Sequence, residues 1–96
     1  MDLVYELQDF EWDAEKAAAN LRKHRLSLEK ACEVFFDPFV RLVDAGEGHE
    51  TREAAIGLTE DWNLLTVVHI LRQGDILRII SARPATPSER TDYENE

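Results

Sequence analysis

Leu64-Leu65-Thr66-Val67-Val68-His69-Ile70-Leu71 and Ile76-Leu77-Arg78-Ile79-Ile80-Ser81-Ala82-Arg83 are the two segments that decide the fold. Both are rich in β-branched residues and read as strands, and Gln73-Gly74-Asp75 joins them as a tight hairpin. Upstream, Phe39–Val43 and Arg52–Leu58 also read as strands. They are separated by the glycine-containing loop Asp44–His49 and followed by the polar turn Glu60–Asn63. Before Pro38 the period is helical. Asp13 is an N-cap for a helix over about Ala14–Lys23, with Glu15 in the first turn. Ser27 caps a second helix, whose Leu28, Ala31, Cys32 and Phe35 form a buried stripe that ends at Asp37-Pro38. Leu3–Leu7 is either a short edge strand or an ordered arm. Downstream, Pro84 breaks the last strand, and Thr86 with Glu89 forms a capping box around Pro87 for a short final helix. Helices first and strands after them predict an α+β fold: two N-terminal helices packed on an antiparallel sheet of about four strands, with a short C-terminal helix.

Ninety-six residues with 44% hydrophobic and 32% charged content suit one folded domain spanning 1–96. No apolar run approaches the ~20 residues of a membrane span. The N-terminus lacks the basic start and apolar stretch of a signal peptide, so the expected location is cytoplasmic. Cys32 stands alone and on the apolar side of its helix, which predicts a core residue. His24, His49 and His69 are scattered without ligand spacing, so no metal site and no cofactor are expected. A net charge of −9 opposes non-specific attraction to nucleic acid.

Each candidate site residue has a structural and a functional reading. His24 either caps the end of the first helix or serves as a general acid or base. His69 reads as a satisfied sheet histidine. Arg83 ends a strand beside Pro84, and a rigidly mounted cation there suits an anionic ligand or transition state. With the hairpin centred on Gln73-Gly74, Arg72, Ser81 and Arg83 would share one sheet face, with His69 and Arg78 on the other. Trp12 either packs against the helix that follows it or stacks on a base. Arg52 and Glu50 would add a cation and a carboxylate.

The series Phe10-Glu11-Trp12-Asp13, Lys16, Asn20, Lys23-His24, Ser27-Leu28, Ala31, Val34-Phe35 and Asp37-Pro38 continues through Arg52, Ile56-Gly57 and Arg72. It closes with Arg78-Ile79-Ile80-Ser81-Ala82-Arg83, Ala85-Thr86, Glu89-Arg90 and Tyr93. In this order and spacing the chain resembles the BrnT toxins of bacterial type II toxin–antitoxin systems, relatives of the RelE-like ribonucleases. The resemblance implies a RelE-like α+β fold and metal-independent RNA cleavage that inhibits growth. It also implies neutralisation by a ribbon–helix–helix antitoxin of the BrnA type, with operator DNA reached only through that antitoxin. Carried to matching positions, it implies His24, Arg52, Arg72 and Arg83 as catalytic candidates and Trp12 and Lys23 as RNA contacts; Glu50, from the residues themselves and not from the resemblance, is a further acid–base candidate. The alternative is a non-catalytic binding module that acts as a corepressor within a DNA-bound complex. Two departures stand out: the acidic net charge, and Arg25 where the family usually has glycine. A non-glycine residue in a left-handed helix end costs roughly 1 kcal/mol, so either the turn differs or the strain is tolerated.

Overall fold

The computed structural model describes residues 9–45, 52–72 and 76–95. Leu3–Leu7, His49, Glu50 and the hairpin tip Gln73-Gly74-Asp75 lie outside the described residues. The element order is β1 (Asp9–Trp12), α1 (Ala14–His24), α2 (Leu28–Ala31) running into a 3-10 helix (Cys32–Phe36), β2 (Arg41–Asp44), β3 (Glu53–Leu58), β4 (Leu64–Arg72), β5 (Ile76–Pro84) and α3 (Pro87–Glu94). The caps act as the sequence predicts. Asp13 accepts hydrogen bonds from the amides of Glu15 and Lys16, Ser27 accepts one from Lys30, and the Thr86–Glu89 capping box is complete.

Among the described residues the sheet has five strands, one more than the expected four or so, in the order β1-β5-β4-β3-β2. The fifth strand is β1, which pairs with β5 in parallel, Phe10 opposite Leu77 and Trp12 opposite Ile79. All other pairings are antiparallel. β2 starts later than expected, because Asp37 takes the chain through a turn first. Its Oδ1 accepts from Phe39 N at 2.9 Å and its carbonyl from Val40 N at 3.0 Å. Phe39 is thereby removed from the strand and left 64% exposed. The second helix tightens after Ala31. At three residues per turn, Phe35 comes against His69 and Phe36 against Phe10.

The register of the β4–β5 hairpin differs from the expected one. Arg72 lies opposite Ile76 and His69 opposite Ile79, yet Val68 lies opposite Ser81, so Ile80 is an extra residue in β5. Such a bulge shifts the alternation by one beyond it. His69, Val67, Ile79 and Ala82 therefore share the face that α1 and α2 cover. Arg78, Ser81 and Arg83 share the other, which corrects the expectation that Arg78 would sit with His69.

The helix-covered face carries the core: Leu28, Ala31, Cys32, Val34, Ala55, Leu65, Val67, Ile79 and Ala82, with Phe10, Trp12 and Phe35 packed at its margin. Cys32 is buried within it, donating its thiol to Leu28 O, and burial pushes the thiol up to about 12. Gly57 faces the same layer. A Cβ there would stand 3.0 Å from Val34 O, so glycine lets β3 meet the 3-10 helix closely. On the opposite face α3 lies against β3 and β4, tied down by Glu89 to Thr66 and by Tyr93 to Asp37.

Candidate functional site

Asn20 organises one end of the molecule. It is 5% exposed, accepts from Ala82 N at 3.0 Å and donates to Leu26 O at 3.0 Å. One side chain thus staples α1 to β5 and to the segment after the helix. The last turn of α1 carries Arg22, Lys23 and His24, cations that suit the negative end of a helix dipole. His24 stands one turn beyond Asn20, about 6 Å along the axis. It is half-buried, and Lys23 is exposed. Arg25 follows at φ 59°, ψ 31°, with its amide donating to Leu21 O at 2.9 Å. The left-handed turn that favours glycine is therefore formed with an arginine, and the end of α1 keeps its usual geometry.

Arg83 is next in chain to Ala82, on the opposite face of β5. Its guanidinium meets Glu89 as a fork, Nη1 to Oε1 and Nη2 to Oε2 both at 2.8 Å, and Nη1 also donates to Pro84 O. Glu89 in turn accepts from the Thr66 hydroxyl at 2.8 Å and from Thr86 N at 2.9 Å. The Arg83 pairing, ahead of the Thr86 and Thr66 hydrogen bonds, pulls Glu89 down to about 2 against the cost of burial. Arg83 is thus a strut that latches α3 to the sheet, and its charge is met within the chain. Arg78 is matched in the same way, by Glu11 on β1 at 2.9 Å. Trp12 ends β1 and is half-buried against the core, so packing engages much of its ring.

Arg52 and Arg72 belong to another region. Arg72 ends β4, whereas Arg83 is opposite Thr66 near its start. At about 3.3 Å per residue, the two backbone positions stand roughly 20 Å apart along the strand. Arg52 precedes Glu53, which pairs with His69, and so lies toward the Arg72 end. The fold fastens the end of α1 that carries Lys23 and His24 to β5 through Asn20, while the Arg83 side chain is turned to the opposite face of that strand, toward Glu89. The fold also leaves the backbone positions of Arg72 and Arg52 far along β4 from that of Arg83. Among the described residues no three His, Cys, Asp or Glu side chains are grouped to hold a metal ion. His69 is a buried sheet histidine. Its ring nitrogens reach Val67 O at 3.2 Å and Glu53 at 3.3 Å, and its ring packs edge-on to Phe35.

Sequence reasoning missed two features. Asn20 as a staple had no local signature, because its partner is 62 positions away. Glu89 was legible as a capping residue, but not as the carboxylate that neutralises Arg83.

Three comparisons bear on this geometry. No curated protein matches the chain. A crystal structure of the Brucella abortus ribonuclease toxin BrnT matches with a TM-score of 0.68 and 24% identity, covering 82% of this chain and 97% of that one. At that identity it establishes the shared α+β fold. The family model described as "Ribonuclease toxin, BrnT, of type II toxin-antitoxin system" matches residues 12–89. That span runs from the end of β1 to the Glu89 latch and takes in the Asn20 staple and the whole β2–β5 meander, so the chain belongs to the BrnT ribonuclease toxin family of type II toxin–antitoxin systems.

Proposed function

We propose that the chain is a cytoplasmic, metal-independent endoribonuclease that arrests growth and is held in check by a ribbon–helix–helix antitoxin. The observation that carries this reading is the Asn20 staple, which fastens the basic last turn of α1 to β5 beside Arg83. Cleavage of RNA without a metal needs three services at one phosphate. The 2′-hydroxyl must lose its proton as it attacks, the leaving 5′-oxygen must gain one, and the added negative charge must be stabilised. His24, half-buried at the rigid end of a helix, supplies the proton transfer. Lys23 beside it supplies charge. Arg83, on the opposite face of β5, contributes to holding the RNA further along the strand through the donors its fork does not use. Arg52 and Arg72, whose backbone positions lie toward the far end of the β3–β4 pair, remain candidates for RNA contact away from the cleaved phosphate. Trp12 lends the exposed part of its indole to a base, and Glu50, two positions before Arg52 in the sequence, remains an acid–base candidate.

The test is the purified chain on single-stranded RNA in excess EDTA, read by the chemistry of the new ends. The expected products carry 2′,3′-cyclic phosphate, and His24→Ala lowers the rate by about 100-fold or more, the usual scale of a lost acid–base group. Cleavage that stops with EDTA, or that is unchanged in His24→Ala, contradicts the mechanism.

A second reading, a non-catalytic corepressor, draws support from Arg78 and Arg83 each being met by a carboxylate. Absence of cleavage by a folded, antitoxin-binding chain would favour it.

A further inference from the structure

The β3–β4 turn and the 3-10 helix enclose a cleft of about 680 Å³ in which Phe36, Phe39, Leu58 and Trp62 meet. Two of these side chains are offered to solvent: Phe39 is 64% exposed and Trp62 80%. The exposure of Trp62 is built in. Trp62 N donates to Thr59 O and Thr59 N to Asn63 O, both at 3.0 Å, which makes Glu60-Asp61-Trp62 a three-residue hairpin loop. The last position of such a loop is left-handed and ordinarily glycine, and Trp62 occupies it at φ 67°. A large aromatic is therefore held outward in a backbone conformation it disfavours, at a place where glycine would relax the turn. Strain of this kind, combined with an exposed apolar surface, marks a site that meets something.

The charges decide what it meets. The charged residues lining the cleft, Glu33, Asp37 and Glu60, are all acidic. Lys30, beside them, is already bound by Asp61 at 2.8 Å and by Glu33 at 3.5 Å. Glu33 also anchors the turn, accepting from Glu60 N at 3.0 Å. Burial opposes ionisation of Asp37, yet hydrogen bonds from Tyr93, Leu58 N and Phe39 N hold its carboxyl below the usual range, so it stays anionic. Such a lining repels RNA phosphate. It also opposes a second copy of this chain, whose net charge is −9.

We propose that the Phe36–Phe39–Trp62 cleft docks a basic segment of a partner protein, with a leucine-sized or aromatic anchor entering between Phe39 and Trp62 and lysines or arginines meeting Glu33 and Glu60. This rests on the toxin–antitoxin reading, since such a system supplies a protein partner. It assigns that partner a contact lined by none of the residues given to RNA cleavage.

The probes are a panel of fluorescein-labelled lysine-rich peptides with leucine or tryptophan at i, i+3, i+4 and i+7, and the same peptides with serine at those places. Anisotropy is measured against the wild-type chain at physiological salt. Trp62→Gly is the main variant, because glycine suits the loop and keeps the fold, and Glu60→Lys is the charge variant. The expected result is binding at least tenfold tighter for anchored peptides than for serine peptides, with a tenfold or greater loss in each variant. Equal binding of the two peptide sets, no binding of either, or unchanged affinity in Trp62→Gly overturns the proposal. So does displacement of the peptide by single-stranded RNA, or a wild-type dimer that Trp62→Gly dissolves. RNA cleavage is assayed separately on the same proteins. Its absence would count against the ribonuclease reading without touching the cleft, and intact cleavage in Trp62→Gly is expected.

Discussion

Replacing Glu89 by Gln isolates the charge of the latch between α3 and the sheet. Glutamine keeps the length of the side chain and the reach of the capping box, which accepts either residue. What it loses is the ionic half of the fork to Arg83, formed by two bonds of 2.8 Å. In the folded chain the Glu89 carboxyl is drawn from 4.5 to about 2, which corresponds to roughly 3 kcal/mol of stability. The Arg83 side chain is 38% exposed, so solvent screening brings the expected loss nearer ~2 kcal/mol. Because the folded value is depressed, this stability is fully present above the ordinary value of 4.5 and is lost as pH falls through about 2. Urea unfolding of wild type and Glu89→Gln should differ by ~2 kcal/mol near neutral pH, equivalent to a melting-temperature gap of roughly 8–16 °C for a domain of this size. More than half of the gap should be gone by about pH 3. A gap that is the same at both pH values would show that shape rather than charge is lost. No gap at neutral pH would show that the fork does not hold α3.

Arg25→Gly should stabilise the chain by ~1 kcal/mol, because it relieves a left-handed arginine at the end of α1; unchanged or lower stability in urea would refute the strain. Gly57→Ala should destabilise by ~1–3 kcal/mol, since its Cβ would press on Val34 O at 3.0 Å and Val34 Cβ at 3.1 Å; a neutral effect would mean the 3-10 helix gives way easily. Cys32 should resist a thiol reagent in the native chain and react fully in denaturant, because burial pushes it up to about 12; rapid native labelling would contradict the packing around it.

Features carried by local chemistry were legible in the sequence. Asp13, Ser27 and Thr86 each cap the helix assigned to them, Leu28, Ala31 and Cys32 form the buried stripe, and β4 and β5 occupy the expected segments. What depends on distant partners was not. β1 pairs with a strand more than sixty positions away, and nothing around Phe10-Glu11-Trp12 announces a parallel neighbour. The hairpin register, Arg72 opposite Ile76, decides that Arg78 leaves the His69 face, and the bulge at Ile80, inside the unbroken apolar run Ile79-Ile80, decides that Ser81 and Arg83 join Arg78. The same limit applies to the site. Arg83 could be recognised as rigidly mounted, but its counter-charge lies beyond Pro84 on a different element. For that reason Arg83→Ala is a blunt test: it removes a candidate phosphate contact and leaves Glu89 unpaired in the same step. His24→Ala removes a side chain at the end of a helix that Asn20 already holds, and is the cleaner probe.

The most direct measurement is induced expression of the chain alone in bacteria, wild type beside His24→Ala, following growth and the integrity of total RNA. Growth arrest with RNA loss is expected for wild type, and relief of both in His24→Ala at equal soluble yield. Normal growth of cells that contain the soluble wild-type chain, or arrest with RNA intact, would contradict the ribonuclease reading.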